Sequence, residues 1–140
     1  MGWIKYSYDC RFDLNSGKSI CDTPNIEVEV YCGNKSVKVF GLIDSGCQIT
    51  HIDTEVAKQL GIDLADCKEI GVAGVIKGAK SKGYFSKIYI KLKEHGDKFE
   101  SPAIITDMPI PLLLGQNNFF DKFKVKFEKS KGTFELSRVD

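Results

Sequence analysis

Alternation of apolar and polar residues with a period of two dominates the chain. Ile26-Glu27-Val28-Glu29-Val30, Val37-Lys38-Val39, Ile88-Tyr89-Ile90-Lys91-Leu92, Phe123-Lys124-Val125-Lys126-Phe127 and Phe134-Glu135-Leu136 each put apolar side chains on one side of an extended backbone. Their polar neighbours fall on the other side, the pattern of half-buried strands. Gly33 to Lys35, Glu94 to Lys98 and Lys129 to Gly132 supply turn chemistry between them, so the strands are read as hairpin arms. Ala103 to Thr106 and Leu112 to Leu114 add two more short strands. The pattern predicts a mainly-β domain, closed or sandwiched rather than α/β.

Two segments break the alternation. Asp53 to Gly61 offers a capping aspartate, apolar Val56, Ala57 and Leu60, and a terminating glycine, which predict a helix of about two turns. Gln116 to Lys122 predicts one further turn capped by an asparagine. Neither is long enough to organise the fold. Trp3, Tyr6 and Tyr8 form an aromatic patch near the N-terminus, expected against the barrel or at a subunit interface, and Phe119, Phe120, Phe123 and Phe127 are read as core.

Composition narrows the functional classes. The 140 residues fit one domain, 1–140, with enough length for a real core. Lysine and arginine number 20 against 19 aspartates and glutamates, so no overall field recruits nucleic acid or anionic lipid. No apolar run has the length of a signal peptide or a membrane span. Five cysteines, at 10, 21, 32, 47 and 67, are odd in number and lack CxxC spacing; neither a disulfide framework nor a zinc ribbon is expected, and a reducing cytoplasm is the expected compartment.

The chemistry concentrates in Gly41 to Ile52, GLIDSGCQITHI. Asp44 follows the apolar run Val39 to Ile43, where a carboxylate costs free energy unless neighbours hydrogen-bond or neutralise it. Gly46 allows a tight turn that brings its amide to that carboxylate, which a Cβ would obstruct. Cys47 is read either as a small buried hydrophobe or as an oxidisable neighbour of the site. Cys47 and His51 with Asp44 or Asp53 sketch a metal site, but a strand through them would hold positions i and i+4 about 13 Å apart, so no metal is expected. Asp107, followed by Met108-Pro109 rather than glycine, is read as a loop residue.

An apolar strand, Asp44-Ser45-Gly46, an exit strand, a short helix, a glycine-bearing hairpin and a later strand Leu112-Leu113-Leu114-Gly115-Gln116-Asn117 follow one another. This order of parts resembles the retropepsin-like aspartic proteases over roughly Ile26 to Leu136, and the wording Asp-Ser-Gly-x-Gln is especially like their cellular, single-domain branch. The resemblance implies a closed β-barrel of the acid-protease fold with one or two short helices. It implies that Asp44 is the catalytic acid/base, supported by Ser45 and Gly46. It also implies a flap at about 69–92 whose Gly71, Val72, Ala73, Gly74, Val75 and Ile76 cover the substrate, with Gly78 and Gly83 adding freedom to the hairpin.

One Asp-Ser-Gly per chain is half of such a site, so a homodimer is implied, with two Asp44 side chains meeting on a two-fold axis. The partners implied are a second copy and a peptide or protein substrate, without cofactor, nucleic acid or membrane. A catalytically inactive dimeric domain that binds peptides or proteins is the alternative from another class.

Overall fold

The computed structural model describes residues 2–73 and 80–139. The described elements run β1 (Ile4–Ser7), β2 (Asp9–Asp13), β3 (Lys18–Thr23), β4 (Asn25–Cys32), β5 (Lys35–Ile43), β6 (Thr50–Asp53), α1 (Thr54–Gln59), β7 (Lys68–Ala73), β8 (Lys80–Leu92), β9 (Phe99–Thr106), β10 (Leu112–Leu114), β11 (Phe123–Glu128) and β12 (Thr133–Arg138).

Alternation becomes burial as the pattern predicts. Along β4, Ile26, Val28 and Val30 point inward while Glu27 is exposed. Hydrogen-bonded neighbours follow the order β4-β5-β10-β6-β9-β8-β7, and β8 returns to pair with β4 from Val28↔Leu92 to Tyr31↔Tyr89. Six strands thereby close a barrel, and β7 extends beyond the closure as the outer arm of the β7–β8 hairpin. Ile52, Ile88, Ile90, Ile105, Leu112 and Leu114 are completely or almost completely withdrawn from water inside it. Each such side chain contributes roughly 1.5–3 kcal/mol relative to exposure.

A second sheet, β1-β12-β11, packs the chain ends together. Tyr6 and Tyr8 stack on Phe134 of β12, with centroids 5.4 and 5.6 Å away, so the N-terminal aromatics pack on this sheet. Trp3 lies at its margin under the Lys126 ammonium, 4.0 Å from the ring centroid. Phe119 and Phe123 are core as expected, whereas Phe127, on an edge strand, is 44% exposed.

The predicted helix is α1. The Asp53 carboxylate accepts from the Glu55 N–H at 3.2 Å, and Gly61 ends the segment with φ +72°, where a side chain would be strained. The second predicted turn exists at Gln116–Phe120 but is not capped by an asparagine. Gly115 precedes it without a side-chain cap, and Asn118 (φ +70°) instead gives its own N–H to the Asp121 carboxylate at 2.9 Å.

The cysteine expectation is overturned in one respect. Cys10 and Cys21 are disulfide-bonded across the β2–β3 hairpin, which the Arg11 guanidinium braces with a bidentate grip on Asp22 at 3.0 and 3.2 Å. An odd total conceals one pair when the remaining thiols, Cys32, Cys47 and Cys67, stay free.

Candidate active site

Asp44 is the first residue beyond β5, and a parallel pairing fixes where it stands. β5 and β10 run side by side with Ile43 opposite Leu114, and the Asp44 N–H continues the ladder by donating to the Leu114 carbonyl at 3.0 Å. The side chain then meets a turn. Gly46 donates its N–H to Asp44 Oδ1 at 2.9 Å, a charge-assisted bond that orients the carboxylate. A Cβ on Gly46 would lie 3.3 Å from that same oxygen, tighter than ordinary contact, which explains glycine at this position.

The Asp44 loop is held by the strand-to-turn junction at Gly115. Gln116 gives its backbone N–H to the Cys47 carbonyl at 2.7 Å and its side-chain Nε2 to the Ser45 carbonyl at 2.6 Å. Asn117 donates to the Gln48 carbonyl at 2.8 Å, and the Gly115 N–H is taken by the buried Thr50 hydroxyl at 3.2 Å. Thr50, Gly115 and Gln116 therefore fix the site, and the sequence reading gave them no such role. The available signal was the glycine directly after an apolar strand, which puts backbone against backbone.

Cys47 and His51 depart from the expected geometry. Residues 47–49 turn rather than extend, so the Cys47 Sγ and His51 Nδ1 come within 3.4 Å instead of lying far apart on a strand. Both groups donate to one acceptor: the thiol reaches the Ile49 carbonyl at 2.8 Å and His51 Nδ1 reaches it at 2.7 Å. Burial, with the Asp44 charge second, pushes the Cys47 thiol above its usual range, which disfavours a thiolate nucleophile. Among the described residues no group of three or more His, Cys, Asp or Glu side chains is arranged to hold a metal.

The flap residues divide. Gly71, Val72 and Ala73 lie on β7, paired with Lys82, Ser81 and Lys80 of β8, and around the closed barrel β8 and β4 lie between β7 and the Asp44-bearing β5. Gly74, Val75, Ile76 and Gly78 lie outside the described residues. Gly83 is a buried strand residue opposite Ile70, not a turn glycine, so the described hairpin begins its return at Lys80. Asp107 is a loop residue whose carboxylate takes the Thr54 hydroxyl.

This barrel is shared with solved structures. A retropepsin-like aspartic protease from Rickettsia conorii superposes with a TM-score of 0.67 over 97% of this chain and 99% of its own, at 18% identity. The chain has the retropepsin-like fold. The protease of EIAV, solved with an inhibitor, matches with a TM-score of 0.51 at 20% identity, over 67% of this chain and 82% of its own. No protein-family model matches the sequence, and no curated protein matches it. Within the retropepsin-like barrel described above, the Asp44 turn sits where the parallel pair β5–β10 ends, and no described helix is long and apolar enough to cross a membrane.

Proposed function

We propose that the chain is an aspartic endopeptidase that works as a homodimer. The observation that carries this reading is the Asp44-Ser45-Gly46 turn: a half-buried carboxylate oriented by the Gly46 amide, in a loop clamped by Gln116 and Asn117. The exposed Ser45 keeps its side chain available to an opposing copy while its carbonyl is held from behind.

Two copies of Asp44 brought together on a two-fold axis cannot both ionise, and the pair shares one proton over a span of pH. The ionised member takes a proton from a bound water, which attacks the scissile carbonyl. The protonated member hydrogen-bonds the carbonyl oxygen and stabilises the tetrahedral intermediate. The titration belongs to the pair rather than to either carboxylate. Peptide would lie as an added strand beneath the β7–β8 hairpin, with Gly71 to Ile76 covering it, and side-chain pockets would set preference.

The whole chain, 1–140, acts as one domain in this reading, and its compartment is the cytoplasm. A Cys10–Cys21 bridge that persists inside the cell would overturn that compartment, because reductants of the thioredoxin and glutathione type hold cytoplasmic thiols reduced.

The test is cleavage of a diverse peptide library from mildly acidic to neutral pH, with wild type and Asp44→Asn in parallel and product masses read out. Cleavage by wild type alone is expected. Equal cleavage by Asp44→Asn overturns the role of Asp44, and a wild-type dimer that binds peptides without cutting them establishes the inactive binding domain instead.

A further inference from the structure

Cross-strand pairing sets one row of side chains beside Asp44. Leu42 of β5 pairs with Leu113 of β10, Leu113 with His51 of β6, His51 with Ile104 of β9, and Ile104 with Phe85 of β8. Directly paired residues share a face of the sheet, here the face opposite Ile43, Leu112, Ile52 and Ile105 of the barrel core. Asp44 lies two residues beyond Leu42, one past the end of β5 with its N–H still on the ladder, and the strand alternation carried that one step further puts it on the same side. Leu42, Leu113 and His51 are half-buried and Phe85 is exposed, so the row forms a surface flanking the carboxylate.

His51 is the polar member of that row, and its tautomer is fixed. A carbonyl oxygen accepts and does not donate, so the 2.7 Å contact with Ile49 requires the proton on Nδ1. Neutral imidazole then leaves Nε2 as a bare acceptor, and among the described residues nothing donates to it. A peptide laid over the row would strip water from this nitrogen. An apolar side chain would leave it unpaired, whereas a donor would satisfy it.

We propose that His51 is a specificity-determining residue: at one position of the bound peptide it selects a side chain that donates a hydrogen bond, a hydroxyl or amide, over an apolar side chain of the same shape. The inference rests on the endopeptidase reading for its role in cleavage, while the selection itself belongs to peptide binding.

The experiment compares matched peptides, Thr against Val, Asn against Leu and Gln against Met, at each position around a cleaved bond at neutral pH. Wild type is expected to favour the donor at one position by roughly tenfold in kcat/KM. His51→Leu and His51→Asn are expected to lose that preference. His51→Asn has a side-chain amide whose NH2 can still donate to the Ile49 carbonyl, while its one acceptor, Oδ1, lies nearer the backbone than Nε2 did, so it separates recognition at the Nε2 position from loop support. Because the readout is a ratio within one enzyme, a general loss of activity does not imitate the result.

The same pairs are measured for binding to the Asp44→Asn protein. A ratio near one at every position, or a preference that survives both His51 substitutions, overturns the proposal. A His51-dependent binding preference in a chain whose wild type never cuts upholds it and overturns the endopeptidase reading alone.

Discussion

Gly115→Ala tests how the Asp44 loop is held. Gly115 has φ −107°, a conformation open to any residue, so a substitution there carries no backbone strain of its own. The cost is contact. A Cβ would lie 2.8 Å from the Cys47 carbonyl oxygen, 3.0 Å from the Ile49 carbonyl carbon and 3.2 Å from its oxygen, all backbone atoms that cannot swing aside as the end of a side chain could. Ordinary contact begins at 3.4 Å, so the closest approach is 0.6 Å too short and the loop from Cys47 to Ile49 must retreat. Overpacking of this kind costs about 1–3 kcal/mol, which lowers Tm by roughly 5 °C in a chain of this size.

The retreat also pulls on the hydrogen bonds from Gln116 and Asn117, so cleavage should fall more than stability alone explains. The assay is thermal denaturation at fixed protein concentration, with peptide cleavage measured well below the transition. Gly71→Ala is the control, because a Cβ there meets nothing within 4 Å, and it should melt with or above wild type. A Gly115→Ala protein that melts and cleaves like wild type would refute the claim that this backbone contact holds the loop.

The cysteines and His95 give two further tests. Mass spectrometry after alkylation under denaturing, non-reducing conditions should count three thiols, Cys32, Cys47 and Cys67, and five after reduction; five without reductant would refute the Cys10–Cys21 bridge. In the native protein Cys47 should alkylate more slowly than a small free thiol, since burial and then Asp44 raise its titration, and labelling at the free-thiol rate would contradict that environment. His95 is buried, with Nε2 2.7 Å from the Tyr6 hydroxyl and its ring edge-on to Phe123. Burial, aided by Arg138 and opposed by Glu94, holds its titration below the ordinary 6.5. The unfolded chain therefore binds the proton more readily, and the stability His95 contributes is full above 6.5 and lost as pH falls toward the lowered native value. Denaturant melts across that window should show a smaller acid-side fall in His95→Gln, and an identical fall would refute the assignment.

The barrel could be read in advance because its strands bury one face and wet the other, and burial imposes a period of two. β4, β5, β11 and β12 come directly from that pattern. β2 and β3 could not be read so, because this hairpin lies mostly at the surface and leaves no alternation to detect. The turn at 47–49 escaped for a different reason: Gln48 and Ile49 suit a strand locally, and the bend is imposed by bonds from Gln116 and Asn117, far along the chain. Asp44 and Gly46 were legible since their interaction is local, one carboxylate and an amide two residues on. The parts that Thr50, Gly115 and His51 play became legible only with β10 lying between β5 and β6.

That insertion of β10 also orders events in time. The bonds that secure the Asp44 loop span 65 and 71 residues of sequence, and local contacts cannot substitute for them. Closing so long a loop costs entropy before it returns any stability, so this corner should be among the late parts of the molecule to assemble. A chain emerging from the ribosome would carry its Asp-Ser-Gly turn long before it carried the segment that locks it. In the proposed reading, proteolytic competence is withheld from the nascent chain until Gln116 and Asn117 have emerged and closed on the loop.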